Sequence, residues 1–374
     1  MGSKEQVQEL LSHAGITING PNPWDIQVKD ERFYDRVLSQ ANLGAGESYM
    51  DGWWECKDLD QLFYRILNAE IEKKIRPLHV LPLVVKSKVL NMQTVSKSKT
   101  VAQEHYDAGN DLYKIMLDKN MQYTCGYWKK AKNLDKAQED KLDLVCKKLG
   151  LKKGMKVLEL GGGFGGLARW MASKYGCEVT TYNISKEQVA YGREWCKGLK
   201  VTFMEADYRE AAKLPPKTFD RVVSIGMLEH VGHKNYKSFF QLISHNLKDE
   251  GIALVHSIAS SKTVWFTDPW INKYIFPHGH LPSIKQIGGA IEGLFVMEDW
   301  HNFGADYDKT LMAWNANCVK GWPKIQDKYN ERFYRMWRYY LLTCAGGFRA
   351  RKMQLWQIVL TKKGMPGGYQ RPEL

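Results

Sequence analysis

Glu159-Leu160-Gly161-Gly162-Gly163-Phe164-Gly165-Gly166 sets an acid ahead of glycines at alternate positions, directly before a helix-like run from Leu167 to Ala172. Glycine takes positive φ without strain and lets a ligand lie against the main chain. A helix start behind such a turn adds free N–H groups. Two ligand classes fit. Gly161, Gly163 and Gly166 match the dinucleotide spacing, whereas Glu159 with Gly161, Gly163 and Gly165 matches the acidic loop of S-adenosylmethionine (SAM) enzymes. A dinucleotide site wants an acid at the end of the next strand, but the run Glu178–Asn183 ends in Asn183. Glu159 would repel a pyrophosphate and suits the ammonium and sulfonium of SAM. The loop is therefore read as a SAM site, against the plain alternative of a glycine turn that holds nothing.

A second set of residues could move a proton. Glu229 and His256 each close an apolar run, and a carboxylate beside an imidazole can handle a proton or hold a small anion. Asp207 and Tyr208 follow another apolar run; they could accept and stack on an adenine, or Asp207 could simply cap a helix. Asn183, Ser185 and Gln188 could bind ribose hydroxyls, with Ser185 equally suited to capping. His230 and His233 stand near Glu229, but H-x-x-H does not put two ligands one helical turn apart, so no metal is expected. Cys125, in a stretch dense in Tyr and Trp, reads as a buried thiol rather than a nucleophile.

These groups need a frame that brings them together. From Met155 onward apolar runs alternate with helical patterns, the sign of an α/β fold with a parallel sheet. Strands are expected at 156–160, 178–184, 200–205, 219–225, 251–258, 295–300 and 354–361, the seven strands of a SAM-methyltransferase sheet. Ligands of open α/β sheets sit at the carboxyl ends of the strands, which is where Gly161, Asn183, Asp207, Glu229 and His256 fall. Residues 1–80 look helical, with amphipathic runs at Gln6–Ala14, Arg32–Leu38 and Leu59–Leu67. The Lys- and Ser-bearing stretch that follows reads as a linker. The helix around 331–341 carries Arg332, Arg335 and Arg338 as a basic stripe. That stripe could meet lipid head groups, but a solvated stripe opposite a core face is the preferred reading.

The chain has 374 residues, 44% of them hydrophobic, enough for a large domain with a smaller companion and too apolar for disorder. Its seven Cys are scattered without a C-x-x-C pair, which suits reduced thiols in the cytosol. No signal peptide and no run of 18 or more apolar residues is seen, so secretion and membrane spanning are not expected. A net charge of +13 points to an anionic partner, a membrane surface or nucleic acid; no zinc-finger or RNA-recognition signature accompanies it.

His105-Tyr106-Asp107-x-Gly109-Asn110-Asp111, Gln122-Tyr123-Thr124-Cys125-x-Tyr127-Trp128, Glu229-His230-Val231-Gly232, His256-x-Ile258 and Phe276-Pro277-x-Gly279-x-Leu281-Pro282-Ser283 occur in this order. So do Gly46-Glu47-Ser48-Tyr49-Met50-Asp51-Gly52-Trp53-Trp54, Trp300-His301-x-Phe303-Gly304-x-Asp306-Tyr307 and Cys344-Ala345-Gly346-x-Phe348-Arg349. In these motifs the chain resembles the cyclopropane-fatty-acyl-phospholipid synthases, from about Leu10 to Leu360. The Gly46–Trp54 segment points to the two-domain phospholipid enzymes rather than the shorter mycolic-acid cyclopropane synthases.

The resemblance implies a helical N-terminal domain over 1–85, a linker over 86–100 and a SAM-dependent methyltransferase domain over 101–374. It implies transfer of a methylene from SAM to the cis double bond of an acyl chain in a membrane phospholipid. Bicarbonate, the proton acceptor, would be held by Cys125, Glu229, His256, Ile258 and Tyr307. SAM would meet Tyr106, Tyr123 and the Gly161–Gly165 loop, and Cys344 would lie near the acyl chain without acting as a nucleophile. A homodimer is expected, peripheral on the cytoplasmic face of the cell membrane, at an anionic phospholipid surface and with no nucleic-acid partner. The family loop is usually G-C-G-W-G-G; Gly162 and Phe164 depart from it, as Asn183 departs from a usual Thr, and Gly162 is expected to loosen the turn. The alternatives are a lipid C-methyltransferase of the same family that leaves a methyl branch, an N-methyltransferase of plant type, and a non-catalytic binding protein that kept the fold.

Overall fold

The computed structural model describes residues 2–71 and 109–373. The expected linker 86–100, the motif residues His105, Tyr106 and Asp107, and the basic residues between Lys73 and Lys99 lie outside the described residues. The chain divides into two compact units.

One unit, residues 109–264, His278–Asp306 and 354–373, is built on a seven-stranded sheet. Its strands are β3 (Lys156–Leu160), β4 (Glu178–Asn183), β5 (Val201–Glu205), β6 (Phe219–Ile225), β7 (Leu247–Ala259), β8 (Val296–Asn302) and β9 (Gln354–Thr361), in the order β5-β4-β3-β6-β7-β9-β8. Every expected strand is present. β3 to β7 run parallel, but β9 is antiparallel to both β7 and β8, so the sheet is mixed rather than wholly parallel. A parallel neighbour needs a crossover that packs on the sheet, and the long stretch between β8 and β9 belongs to the other unit instead.

Both sheet faces are covered, which is why the central strands read as continuous apolar runs. Val157, Val179, Val223 and Leu254 pack with Leu142 and Val145 of α5 (Leu134–Lys148) and Leu167 and Met171 of α6 (Gly166–Tyr175). Leu158, Leu160, Val222 and Val255 face the other way, onto Phe239, Phe240 and Ile243 of α9 (Tyr236–Asn246) and Ile287 and Ile291 of α11 (Ile284–Ile291). The alternation of Val157 and Leu158 between faces is the period of two that fixes the register. Shorter helices α4 (Asn110–Met116), α7 (Lys186–Trp195) and α8 (Leu228–Val231) complete the unit.

The second unit is helical and is not confined to the N-terminal 85 residues. It joins 2–71 with Trp265–Pro277 and Tyr307–Met353. Its helices are α1 (Ser3–Ser12), α2 (Arg32–Met50), α3 (Leu59–Asn68), α10 (Pro269–Tyr274), α12 (Ala305–Gly321) and α13 (Glu331–Arg349), with a two-residue pairing of β1 (Gln27–Val28) and β2 (Trp54–Glu55). Long apolar surfaces on α13 draw these segments in: Tyr339 packs on Tyr49, Trp54, Phe63 and Trp270. Gly346 lets α13 approach α3, since a Cβ there would lie 2.6 Å from the Asp60 carbonyl oxygen. Gly46 serves the same end against the Trp270 ring.

The basic stripe of α13 is engaged within its own unit, although Arg332 stays exposed. Arg335 bonds Glu55 Oε1 at 2.7 Å and the carbonyls of Tyr49 and Trp54, Arg332 holds Asp51 at 2.9 Å, and Arg338 reaches Asn315. The stripe ties helices of its own unit, and no guanidinium among the three stands free for lipid. Among the described residues no helix is long and apolar enough to cross a membrane.

Candidate active site

The glycine loop closes β3 and opens α6. Gly161, Gly163 and Gly165 take φ of +86°, +53° and +85°, so the loop needs glycine at all three positions. A Cβ at Gly165 would lie 2.6 Å from Phe203, whereas one at Gly163 would meet no atom of the described residues within 4 Å. Gly163 therefore borders space, open among the described residues, of the kind a ligand fills. Glu159 is buried, its Oε2 lacks a hydrogen-bond partner among the described residues, and burial pushes its carboxyl up to about 7. An orphaned carboxylate oxygen behind a glycine cradle fits the cationic methionine end of SAM.

Gly162 does not loosen the turn. A Cβ there would lie 2.0 Å from the Thr181 hydroxyl and 3.0 Å from Glu159 Oε2, so the Thr181 side chain fills the space that a residue at 162 would need. Phe164 is buried and packs on Tyr113 and Tyr191. Tyr113 also meets Tyr123 edge-on, which connects the loop to the Gln122–Trp128 motif.

The polar groups after β4 and β5 are engaged within the protein. Asn183 donates its amide to the Gly163 carbonyl and to Gln188 Oε1, each at 2.9 Å, and Ser185 caps α7. Asn183 and Gln188 thus help to fix the loop. Asp207 accepts from the Arg209 main chain and side chain, both at 2.9 Å, so the capping role is realised; Tyr208 beside it stacks edge-on with Phe239.

Glu229 follows β6, and His256 lies on the neighbouring strand β7. The Gly226 amide bonds the His256 carbonyl at 2.8 Å, which joins the ends of β6 and β7. Glu229 on α8 accepts the Ile258 N–H on Oε1 at 2.7 Å; its Oε2 has no partner among the described residues. Residues 256 and 258 share one side of β7. His256 takes Gln357 on Nδ1 at 3.2 Å and packs against Phe303, while its Nε2 is buried and, among the described residues, without a partner. Burial pushes the Glu229 carboxyl up to about 7 and holds the His256 imidazole well below its usual value. A buried carboxylate oxygen and a buried ring nitrogen, both orphaned, are what a small polar ligand would satisfy.

Cys125 is fully buried on the neighbouring segment and lies next to Thr124, whose methyl would be 2.9 Å from a Cβ at Gly226. Asp306 holds the Trp128 N–H at 2.7 Å, which accounts for two motif residues at once. The His280 N–H bonds the Glu229 carbonyl at 2.8 Å and ties the loop between Gly279 and Leu281 to α8. Tyr307 and Cys344 belong to the helical unit; Tyr307 packs on Phe348 and Trp314, and burial pushes the Cys344 thiol up to about 12. His233 stacks on His280, and no group of three His, Cys, Asp or Glu able to hold a metal occurs among the described residues.

Sequence reading missed Lys141. It is buried on α5, donates to Gln122 Oε1 and, at 2.9 Å, to Thr124 Oγ1, and burial pushes its ammonium down to about 8. The signal was present: Leu134, Ala137, Gln138, Lys141, Val145 and Lys148 recur at helical spacing on the buried face of α5. Lys148, also buried, pairs with Asp299 and His301.

The family model for mycolic acid cyclopropane synthetase matches residues 93–358. The cyclopropane-fatty-acyl-phospholipid synthase of Escherichia coli K12 is 53% identical over 95% of this chain and 92% of its own length. A probable fatty acid methyltransferase of Pseudomonas putida is 37% identical over 72% of this chain and 70% of its own. Among solved structures, the mycolic acid cyclopropane synthase CmaA1 complexed with SAH and CTAB is similar at 28% identity, TM-score 0.64, over 71% of this chain and 98% of that one. Cyclopropane synthase MmaA2 from Mycobacterium tuberculosis gives 26%, 0.66, 71% and 98%.

Proposed function

The chain belongs to the cyclopropane-fatty-acyl-phospholipid synthase family, and from that premise we propose how its strand-end crevice works. The enzyme transfers a methylene from SAM to the double bond of an unsaturated phospholipid acyl chain and forms a cyclopropane ring. SAM, when bound, supplies an electrophilic methyl carbon; Glu159 and the open side of Gly163 receive it at the loop. Attack by the alkene on that carbon would break its bond to sulfur, release S-adenosylhomocysteine and leave positive charge on the acyl chain, and a proton of the new methyl group would have to leave before the ring closes. Water would trap that charge, so burial of Glu229, His256 and Cys125 protects the reaction.

The proton acceptor is bicarbonate, held at Glu229 Oε2 and His256 Nε2 with Cys125. Ile258 acts through its N–H, which orients Glu229. The single observation that supports this reading is the pair of buried, partnerless atoms on Glu229 and His256. Tyr123, Asp207 and Tyr208 serve the SAM end. The enzyme works as a homodimer on the cytoplasmic face of an anionic membrane, where its charge of +13 favours attachment, and it takes no nucleic acid.

Incubation with SAM and vesicles of unsaturated phospholipid, followed by gas chromatography of the fatty acids, tests the proposal. A cyclopropane product whose yield falls when bicarbonate is removed is expected. A cyclopropane yield indifferent to bicarbonate overturns the proton acceptor, and a methyl-branched product would identify a lipid C-methyltransferase instead. Vesicle sedimentation at rising salt tests the attachment, which weakens as exposed charges are screened.

A further inference from the structure

Lys141 is a buried cation that the reaction as described does not use. Its partners are two neutral oxygens, Gln122 Oε1 and Thr124 Oγ1, and among the described residues no carboxylate pairs with it. A buried charge without an opposite partner is costly, so a reason for its retention should be near. Asp118, Cys125, Glu159 and His256 all lie within its electrostatic reach.

The two residues it grips flank Tyr123 and lead into Cys125. Gln122 and the Asn120 carbonyl lie against Gly166 at the start of α6: a Cβ there would be 2.3 Å from Gln122 Nε2 and 2.1 Å from the carbonyl oxygen. Thr124 lies against Gly226 at the end of β6. One ammonium therefore spans the segment between the SAM loop and the Glu229 crevice. The preceding turn needs such a clamp, since Met121 takes φ +51° and the Asp118 carboxylate is taken up by the amides of Asn120 and Gln122.

We propose that Lys141 is a positioning residue that sets the 122–125 segment across both glycine contacts and whose charge favours the anion held at Glu229 and His256. This rests on bicarbonate as the proton acceptor. Lys141→Met keeps length and apolar volume but removes both donors and the charge. Thr124→Val keeps the methyl that touches Gly226 and removes one acceptor, so the clamp is loosened from the other side in a chain expected to fold.

The experiment is a bicarbonate titration of cyclopropane formation, with thermal melting as the check on folding. Lys141→Met should raise the bicarbonate concentration for half-maximal rate about tenfold or more, the scale on which a nearby opposite charge acts. The rate at saturating bicarbonate should fall much less. Thr124→Val should shift the same parameter in the same direction by a smaller factor. A half-saturation unchanged in a folded Lys141→Met enzyme overturns the inference. If that variant does not melt cooperatively, an unchanged Thr124→Val enzyme overturns it. A wild-type rate that ignores bicarbonate instead removes the proton acceptor on which the inference rests.

Discussion

At the glycine loop Asn183 binds Gly163 and Gln188, Ser185 and Asp207 cap, and Phe164 is packed between two tyrosines. At the ends of β6 and β7, a carboxylate oxygen of Glu229 and a ring nitrogen of His256 are buried and bond nothing. The first region is held in shape by its own side chains, with Glu159 as its one orphaned acid. The second carries polar atoms that only a further molecule would satisfy. The contrast separates two ways of building a site. A preorganised cradle lowers the ordering cost of binding a large ligand. Orphaned polar atoms destabilise the empty protein and reward a small, well-matched one.

The largest effect is expected at the cradle. Gly163→Val places a branched side chain at φ +53°, in space that no atom of the described residues claims. SAM binding should fall below detection by calorimetry while the melting curve stays cooperative. An unchanged affinity would remove the loop from the site and the comparison with it.

Next in size is Glu229→Gln. It should leave SAM affinity nearly intact and cut turnover by roughly 10²-fold or more, as for a positioned acid–base group. Loss of SAM affinity of similar size would show that the two regions are not separable. A turnover equal to wild type would sink the role of Glu229.

The same substitution should affect stability in the opposite sense. The native Glu229 carboxyl keeps its proton up to about pH 7 because it is buried, against 4.5 as its ordinary value. Between these values the native state holds the extra proton, so this group's contribution to stability falls as pH rises toward 7. Glu229→Gln should therefore stabilise the ligand-free protein at pH 8, by at most about 3 kcal/mol, and by progressively less toward pH 5. Denaturant unfolding at the two pH values checks it; a destabilised variant at pH 8 would mean that the carboxylate already has its counter-charge.

Much of this frame was legible. The strands announced themselves because a sheet covered on both faces writes unbroken apolar runs, and the strand-end rule led to Glu229 after β6 and to His256 on its neighbour β7. The composition of the helical unit was not legible, because Trp265–Pro277 and Tyr307–Met353 join residues far away in the chain through aromatic packing that no local period records. The Arg332, Arg335 and Arg338 stripe looked solvated since its acidic partners, Asp51 and Glu55, lie nearly 280 residues upstream. Lys141 was hidden by its type: a lysine in the charged run Lys136–Lys141 reads as surface until the burial of its helix face is known.

The smallest effect tests whether the loop is shaped by its neighbours as closely as the comparison requires. Glu159 and Thr181 are paired across β3 and β4, and the Thr181 hydroxyl occupies the volume above Gly162. Gly162→Ala forces a methyl to within 2.0 Å of that oxygen if nothing moves. Overpacking of this kind costs about 1–3 kcal/mol, to be read from denaturant unfolding. Thr181→Ala alone should cost less, since it removes one hydroxyl facing Glu159 and overpacks nothing. In the double variant the collision is gone, so most of the Gly162→Ala loss should return. The two positions would then be strongly non-additive, as expected of residues that share one space. Additive losses would mean that the turn relaxes freely around residue 162, and the loop would then be no more preorganised than the Glu229 crevice.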